Sequence, residues 1–311
     1  MSRAGIRVVL LLLVGTLAIA GCGLGSGEEL GGGAELRVTR DFGRERLASA
    51  ERPELREGDT AMRLLQSERD VETDYGGGFV QAVDGLEGGG PGGGRDWFYF
   101  VNGLEADVGA ADYSLSPGDV VQWDHRYWQA AMRIPAIVGA YPEPFLSGAE
   151  GKRIPVRLEC EDDRAPACEG VRRRLVGMGV PASSAQLGAE AGEGILRVVV
   201  ARWSVARRVR AALALEGGPR RSGVFARFTD GGRSLELLDA RARTARRAPA
   251  GTGLVAATAL AGQRPVWLVT GLDNAGVEAA AAALEPATLR DAFAVAATPR
   301  GPVRLPVGEA G

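Results

Sequence analysis

A single histidine and a pair of cysteines hold most of the catalytic and ligating potential of this 311-residue chain. His125 has no second imidazole to complete a nitrogen ligand set, and no G-x-S-x-G elbow or reactive cysteine stands ready for it to activate. Axial ligation of cobalt or haem iron stays open to it, beside a structural hydrogen bond. Cys160 and Cys168 close the run Glu159-Cys-Glu-Asp-Asp-Arg-Ala-Pro-Ala-Cys168. In an exported chain, which the leader described next implies, such a pair reads as a disulfide, and closing so short a loop stabilises by roughly 2–3 kcal/mol. Paired thiols on a metal are the competing reading, but no second cysteine pair completes a set. Asp162 and Asp163 are adjacent in a loop and read as solvated, not as a general acid and base. The expectation is no catalytic residue, no metal site and no enzymatic activity.

The third cysteine, Cys22, belongs to a leader. A basic start with Arg3 and Arg7 precedes an apolar run from Val8 to Ala20, closed by Gly21-Cys22. That order is a secretion signal, too short to be a permanent membrane span of roughly 20 residues. Leu17-Ala-Ile-Ala-Gly-Cys22 resembles the bacterial lipobox, which implies acylation of Cys22 and a durable anchor on the extracytoplasmic face of the cell membrane. Residues 1–22 are thus expected to be a lipoprotein signal peptide. Residues 23–33, rich in glycine, are expected to be a flexible linker.

Loss of Arg3 and Arg7 with the leader moves the formal charge from −2 to −4, near neutral for this size. That balance argues against bulk nucleic-acid binding. Lys152 is the single lysine, so the basic residues are arginines, a bias of codons and not of function. Forty-five per cent apolar residues suffice for packed cores, and the remaining length predicts two domains.

In the first domain, 34–132, Ala34 to Arg40 alternates apolar and polar as a half-buried strand does. Gly58-Asp-Thr60 caps a short helix over Ala61 to Gln66, and Phe79 to Val83 and Asp96 to Val101 read as strands. The glycines from Gly88 to Gly94 are followed by a strand and not by the helix a phosphate cradle needs, so they form a surface loop. Asn102-Gly103 predicts a hairpin, with Leu104 to Val108 returning. Ser116-Pro-Gly-Asp119 is a tight turn ahead of a last strand, Val120 to Tyr127.

Five stretches together carry a family resemblance: Gly58-Asp-Thr-Ala-Met-Arg-Leu-Leu65, Tyr75-Gly-Gly-Gly-Phe79, Trp97-Phe-Tyr-Phe-Val-Asn-Gly103, Gly109-Ala-Ala-Asp-Tyr113, and Pro117-Gly-Asp-Val120 through Trp123. This region resembles the transcobalamin-like C-terminal domain family. The resemblance implies an α+β, β-grasp-like fold and, in the animal cobalamin carriers, one wall of a site that closes over cobalamin. The helical barrel that forms the other wall in those carriers has no counterpart here.

Aromatic residues make up 6% of the chain, yet Trp97, Phe98, Tyr99, Phe100, Tyr113, Trp123, Tyr127 and Trp128 crowd into this domain. Alternation puts Trp97, Tyr99 and Val101 on one side of a strand, with Phe98 and Phe100 on the other. Trp123, His125 and Tyr127 share a side in the same way, opposite Asp124 and Arg126. If these rings face outward, the contact set for a ligand is Trp97, Tyr99, Asn102, Trp123, His125 and Tyr127. Two covered faces, one under the helix and one under the second domain, are the other reading.

Residues 133–152 form a proline-punctuated, hydrophobic connection expected to pack on both domains. From 153 to 311 the pattern becomes α/β: strands over Arg153–Leu158, Ile195–Val200, Gly223–Phe228, Leu235–Leu238 and Pro265–Thr270, and helices over Val171–Met178, Ser204–Leu215 and Ala275–Leu284. Asp273 reads as a helix cap where a strand gives way to a helix, a position that often binds ligands. Arginine clusters at 172–174, 207–210 and 241–247 suit either anionic wall polymer and lipid headgroups or a solvated face.

The sequence therefore predicts a lipid-anchored surface protein that captures a ligand for a membrane transporter of the vitamin-uptake kind. Cobalamin or a related corrinoid is the ligand that the resemblance implies, with no cofactor required. A module that docks a protein or the cell wall, with no small molecule, is the alternative.

Overall fold

The computed structural model describes residues 28–89, 93–189, 192 and 194–308. Cys22, the expected leader, residues 23–27 of the expected linker and residues 90–92 of the expected glycine loop lie outside them. Among the described residues no helix is long and apolar enough to cross a membrane.

The chain folds as a mixture of α and β, mostly sheet. Its first sheet is built from β1 (Ala34–Arg40), β2 (Glu45–Arg52), β6 (Arg95–Val101), β7 (Leu104–Glu105) and β8 (Val120–Tyr127), in the order β2-β1-β8-β6-β7. The first and last long strands, β1 and β8, pair in parallel from Glu35↔Val120 to Arg40↔His125, and their neighbours are antiparallel. Between β2 and β6 come α1 (Ala61–Glu68) and a small antiparallel sheet of β3 (Val71–Asp74), β4 (Phe79–Val83) and β5 (Leu86–Glu87). Thr60 caps α1, its hydroxyl accepting from the Arg63 amide, and the Met62, Leu64 and Leu65 side chains pack on Leu36, Val38, Trp97, Val121 and Trp123.

Asn102 and Gly103 take φ of 54° and 75°, the left-handed pair a two-residue hairpin turn demands. The returning strand is shorter than the predicted 104–108, because after Glu105 the chain leaves the sheet edge.

The second sheet has seven strands, β10-β9-β11-β16-β15-β17-β18. In chain order these are β9 (Val156–Cys160), β10 (Ala182–Gln186), β11 (Leu196–Arg202), β15 (Gly253–Thr258), β16 (Val266–Gly271), β17 (Ala294–Thr298) and β18 (Gly301–Leu305). Four strands, β10, β9, β11 and β16, are parallel, and the rest are antiparallel. One face carries α2 (Pro166–Gly177) and α3 (Asn274–Ala283), packed with Tyr141 and Phe145 of the connection. Asp273 caps α3 as expected, accepting from the Gly276 amide. On the other face lie short helical turns and an antiparallel sheet of β12 (Ala226–Thr229), β13 (Ser234–Leu238) and β14 (Thr244–Arg247).

One continuous helix over 204–215 does not form. The chain turns extended at Val209 (φ −77°, ψ 119°), burying that β-branched side chain, and leaves two single turns, Trp203–Ala206 and Arg210–Leu213.

The two sheets meet through Phe42 and Phe100, which pack with Phe225 and Phe293. The connection belongs to the same packing: Ile134 and Ile137 lie in one core, and Ala136, Val138, Tyr141 and Phe145 in the other. Beside the aromatic contact runs a charged one. Asp291, 2% exposed, pairs with Arg37 (3.6 Å) and Arg46, while Glu35 takes both Arg37 and Arg290. Gly43 lies against the Asp291 carbonyl with φ of 71°, where a Cβ would overlap the oxygen.

Candidate functional site

The strand alternation that groups the aromatic residues is real, and it turns them inward. Trp97 (5% exposed) and Trp123 (3%) fill the core beneath α1. The Tyr99 ring stacks on Trp123 at 5.0 Å and its hydroxyl donates to the Val108 carbonyl at 2.6 Å. Burial, with Tyr113 and nearby carboxylates adding to it, pushes that phenol well above its ordinary pKa. Trp97, Tyr99 and Trp123 therefore pack inward and do not form the outward aromatic face expected of them, because the helix needs those rings as its floor.

His125 is buried against Trp97, with ring centroids 5.2 Å apart, and its Nε2 lies 3.0 Å from the Glu87 carbonyl. A carbonyl only accepts, so Nε2 carries the proton. Burial lowers the imidazole pKa, and the ring is neutral at physiological pH. Asn102 is also fully buried: its amide donates to Asp119 (2.8 Å) and the Gly148 carbonyl (3.0 Å), and its oxygen accepts from the Val120 amide. These two residues are committed to holding the hairpin and the small sheet in place.

The opposite face of β8 is polar and dry. Gln122, Asp124 and Arg126 are each 0% exposed. Asp124 accepts from the Thr39 hydroxyl (2.7 Å) and from the Phe42 and Gly43 amides (3.0 and 2.8 Å), yet burial still raises its pKa to about 6. Arg126 donates to the Ala131 and Met132 carbonyls and lies 3.7 Å from the centre of the Phe98 ring. Its pKa falls to about 10 through burial, leaving it charged at neutral pH.

Of the expected set, Tyr127 lines two surface depressions. It is half-buried at the end of β8, with Arg241 5.9 Å from its ring centre. A larger cleft, about 520 Å³, opens where the two sheets meet. Its walls come from the hairpin (Leu104, Glu105, Asp107), the connection (Arg133, Pro135), the single helical turn Pro219–Ser222, and the turn joining β15 to β16. Glu105 and Asp107 are both taken by Arg133, at 3.1 and 2.7 Å, which raises the Arg133 pKa. Arg220, Arg221 and Arg264 bring three more positive charges into the lining. The cleft therefore presents net positive charge beside apolar Leu104, Leu260 and Pro265. The sequence reading overlooked Arg220 and Arg221; their only local signal was the Pro-Arg-Arg run after Gly217-Gly218.

Cys160 and Cys168 form a disulfide, Cα to Cα 6.0 Å. Asp163 completes a compact Cys-Asp-Cys group, but both sulfurs are spent on each other, so while the bond stands the group offers no thiolate.

Residues 58–126 match a family model described as a domain of unknown function, DUF4430. The matched span begins after β1 and β2 and ends within β8. A crystal structure of a candidate metal-binding protein from Ruminococcus gnavus aligns with 31% of this chain and 97% of its own, at 17% identity and a TM-score of 0.24. No curated protein matches the chain.

Proposed function

We propose that this chain is a lipid-anchored binding protein of the bacterial cell surface, whose ligand is held where the two sheets meet. The observation that carries this reading is the 520 Å³ cleft, because both halves of the chain supply its walls and its arginines outnumber its acids. Concave sites of this size between packed units are the usual place for a small ligand. The parallel pairing of β1 with β8 and the crossing of α1 over their sheet support a β-grasp-like N-terminal domain, with a separate α/β domain beyond the connection.

Cobalamin or a related corrinoid is the first candidate ligand, by resemblance to the transcobalamin-like domains; Leu104, Glu105 and Asp107 of the cleft directly follow the resembling Trp97–Gly103 motif. Hand-over to a vitamin-uptake transporter would complete that role. The test is absorbance of the purified protein after incubation with corrinoids and gel filtration, for wild type and for Arg221→Gln with Arg264→Gln. Co-eluting corrin colour that the double variant weakens is expected. Colour retained equally by both removes the cleft from the site, and no colour in either ends the corrinoid reading.

The second reading, docking to the cell envelope with no small molecule, is favoured by the arginine-rich connection between β11 and β15. Retention on purified cell walls of the wild type, lost in high salt, would support it.

A further inference from the structure

The segment 203–250 holds eleven arginines against four acidic residues, in a chain whose formal charge is −2. Elsewhere arginines are routinely neutralised: Arg40 by Glu45, Arg52 by Asp59, Arg157 and Arg197 by Glu159, Arg202 by Glu161. Along the open depressions beside the seam three arginines lack such a partner, while Arg133 is paired there with Glu105 and Asp107, Arg95 with Asp41, and Asp239 with Arg243. Arg220, Arg221 and Arg241 are exposed, and none of them has an ion pair among the described residues. Exposed Arg210, Arg233 and Arg300 also lack an ion pair among the described residues, so position and not pairing sets the three apart.

Their positions add a second observation. The 520 Å³ cleft shares Arg220 with a neighbouring depression of about 380 Å³, and that one shares Tyr127 and Arg241 with a third of about 370 Å³, which Arg44 and Arg95 also line. Three depressions linked by common residues form one groove. It runs from the hairpin end of β6, at Val101, to the end where Arg95 pairs with Tyr127. Six strand residues separate those levels, roughly 20 Å. A single phosphate needs two or three donors converging on one point, whereas these arginines are distributed over three linked depressions.

We propose that this groove binds a linear polyanion, a polymer with a phosphodiester charge on each unit, laid along the seam and read by Arg220, Arg221 and Arg241. Guanidinium forks suit phosphate oxygens, and the Tyr127 ring backs the Arg241 guanidinium. The proposal deepens the docking reading and rests on it for the source of the polymer, the cell envelope.

The test is calorimetric titration of the mature protein with poly(glycerol phosphate) oligomers of increasing length and with the glycerol phosphate monomer. Affinity is expected to rise with length until the groove is covered, to exceed that of the monomer by about 100-fold, and to fall at least about 10-fold between 50 and 200 mM salt. Arg220→Gln, Arg221→Gln and Arg241→Gln combined should cost about 10-fold or more, while Arg210→Gln, Arg233→Gln and Arg300→Gln, an equal charge loss on exposed residues off the groove, should change affinity by less than about 2-fold. Equal losses in the two triple variants would reduce the effect to bulk charge and overturn the groove. Equal affinity for monomer and oligomer would overturn the linear ligand. Binding to phosphatidylglycerol vesicles without binding to the oligomers would replace the polymer by a lipid surface. Corrinoid titration of the same samples is read independently, so failure of either ligand leaves the other result standing.

Discussion

Asp124 shows at residue scale why this protein hides its polar chemistry. Alternation groups Asp124 with Gln122 and Arg126, and a polar strand face ordinarily means water. Here that face is the contact with the second sheet, and the aromatic face is the floor under α1, so both are covered. Alternation fixes which residues share a side; it does not say which side is wet. The buried carboxyl has a folded pKa of about 6, above its ordinary 3.8. The native state therefore holds the proton longer than the unfolded chain, so Asp124 contributes stability in acid that is lost as pH rises through about 6. Asp124→Asn removes the titration. The stability of wild type minus that of the variant, from urea unfolding at a series of pH values, is expected to fall between pH 3.8 and about 6 and to level off above. A difference that is level through this window and rises with pH below it would mean the carboxyl is stabilised in its charged form.

At the scale of elements, strands rich in valine and aromatic residues were read even where both faces are buried, as in β8 and β16, and alanine-rich buried strands were not. Gly253-Leu-Val-Ala-Ala-Thr258 and Ala294-Val-Ala-Ala-Thr298 are almost wholly buried strands that show no alternation, and alanine has little strand preference. Their recognition depends on the antiparallel neighbours supplied by the fold. The Asn102-Gly103 hairpin, by contrast, is dictated locally. So is the disulfide, which ties the end of β9 to the first turn of α2 across a separation of eight residues. Cys160→Ser with Cys168→Ser is expected to lower the free energy of unfolding by about 2–3 kcal/mol, the chain entropy that so short a loop withholds. Urea midpoints of the oxidised wild type and the double variant check it, and an unchanged midpoint would mean that α2 is held by its packing alone.

For the molecule as a whole, the seam between the sheets is the feature that sequence patterns least disclosed, because Arg37, Asp291 and Gly43 come from opposite ends of the chain. Asp291→Ala leaves Arg37 with less compensation inside a dry interface, and the cost of breaking a buried pair is about 3–5 kcal/mol. Calorimetry of the wild type should give one cooperative transition, and the variant should melt lower or split into two. Two transitions in the wild type would mean that the sheets are thermodynamically separate.

The position of β1 has a further consequence. It lies outside the matched span 58–126, yet it is the strand against which β8 pairs over six positions. A fragment trimmed to that span would bare the amides and carbonyls along one side of β8 and strip Leu36 and Val38 from the hydrophobic layer beneath α1. Unpaired strand edges recruit foreign strands. The excised piece is expected to self-associate more than the intact chain, because residues upstream of the matched span supply the strands β1 and β2 that cover this side of β8.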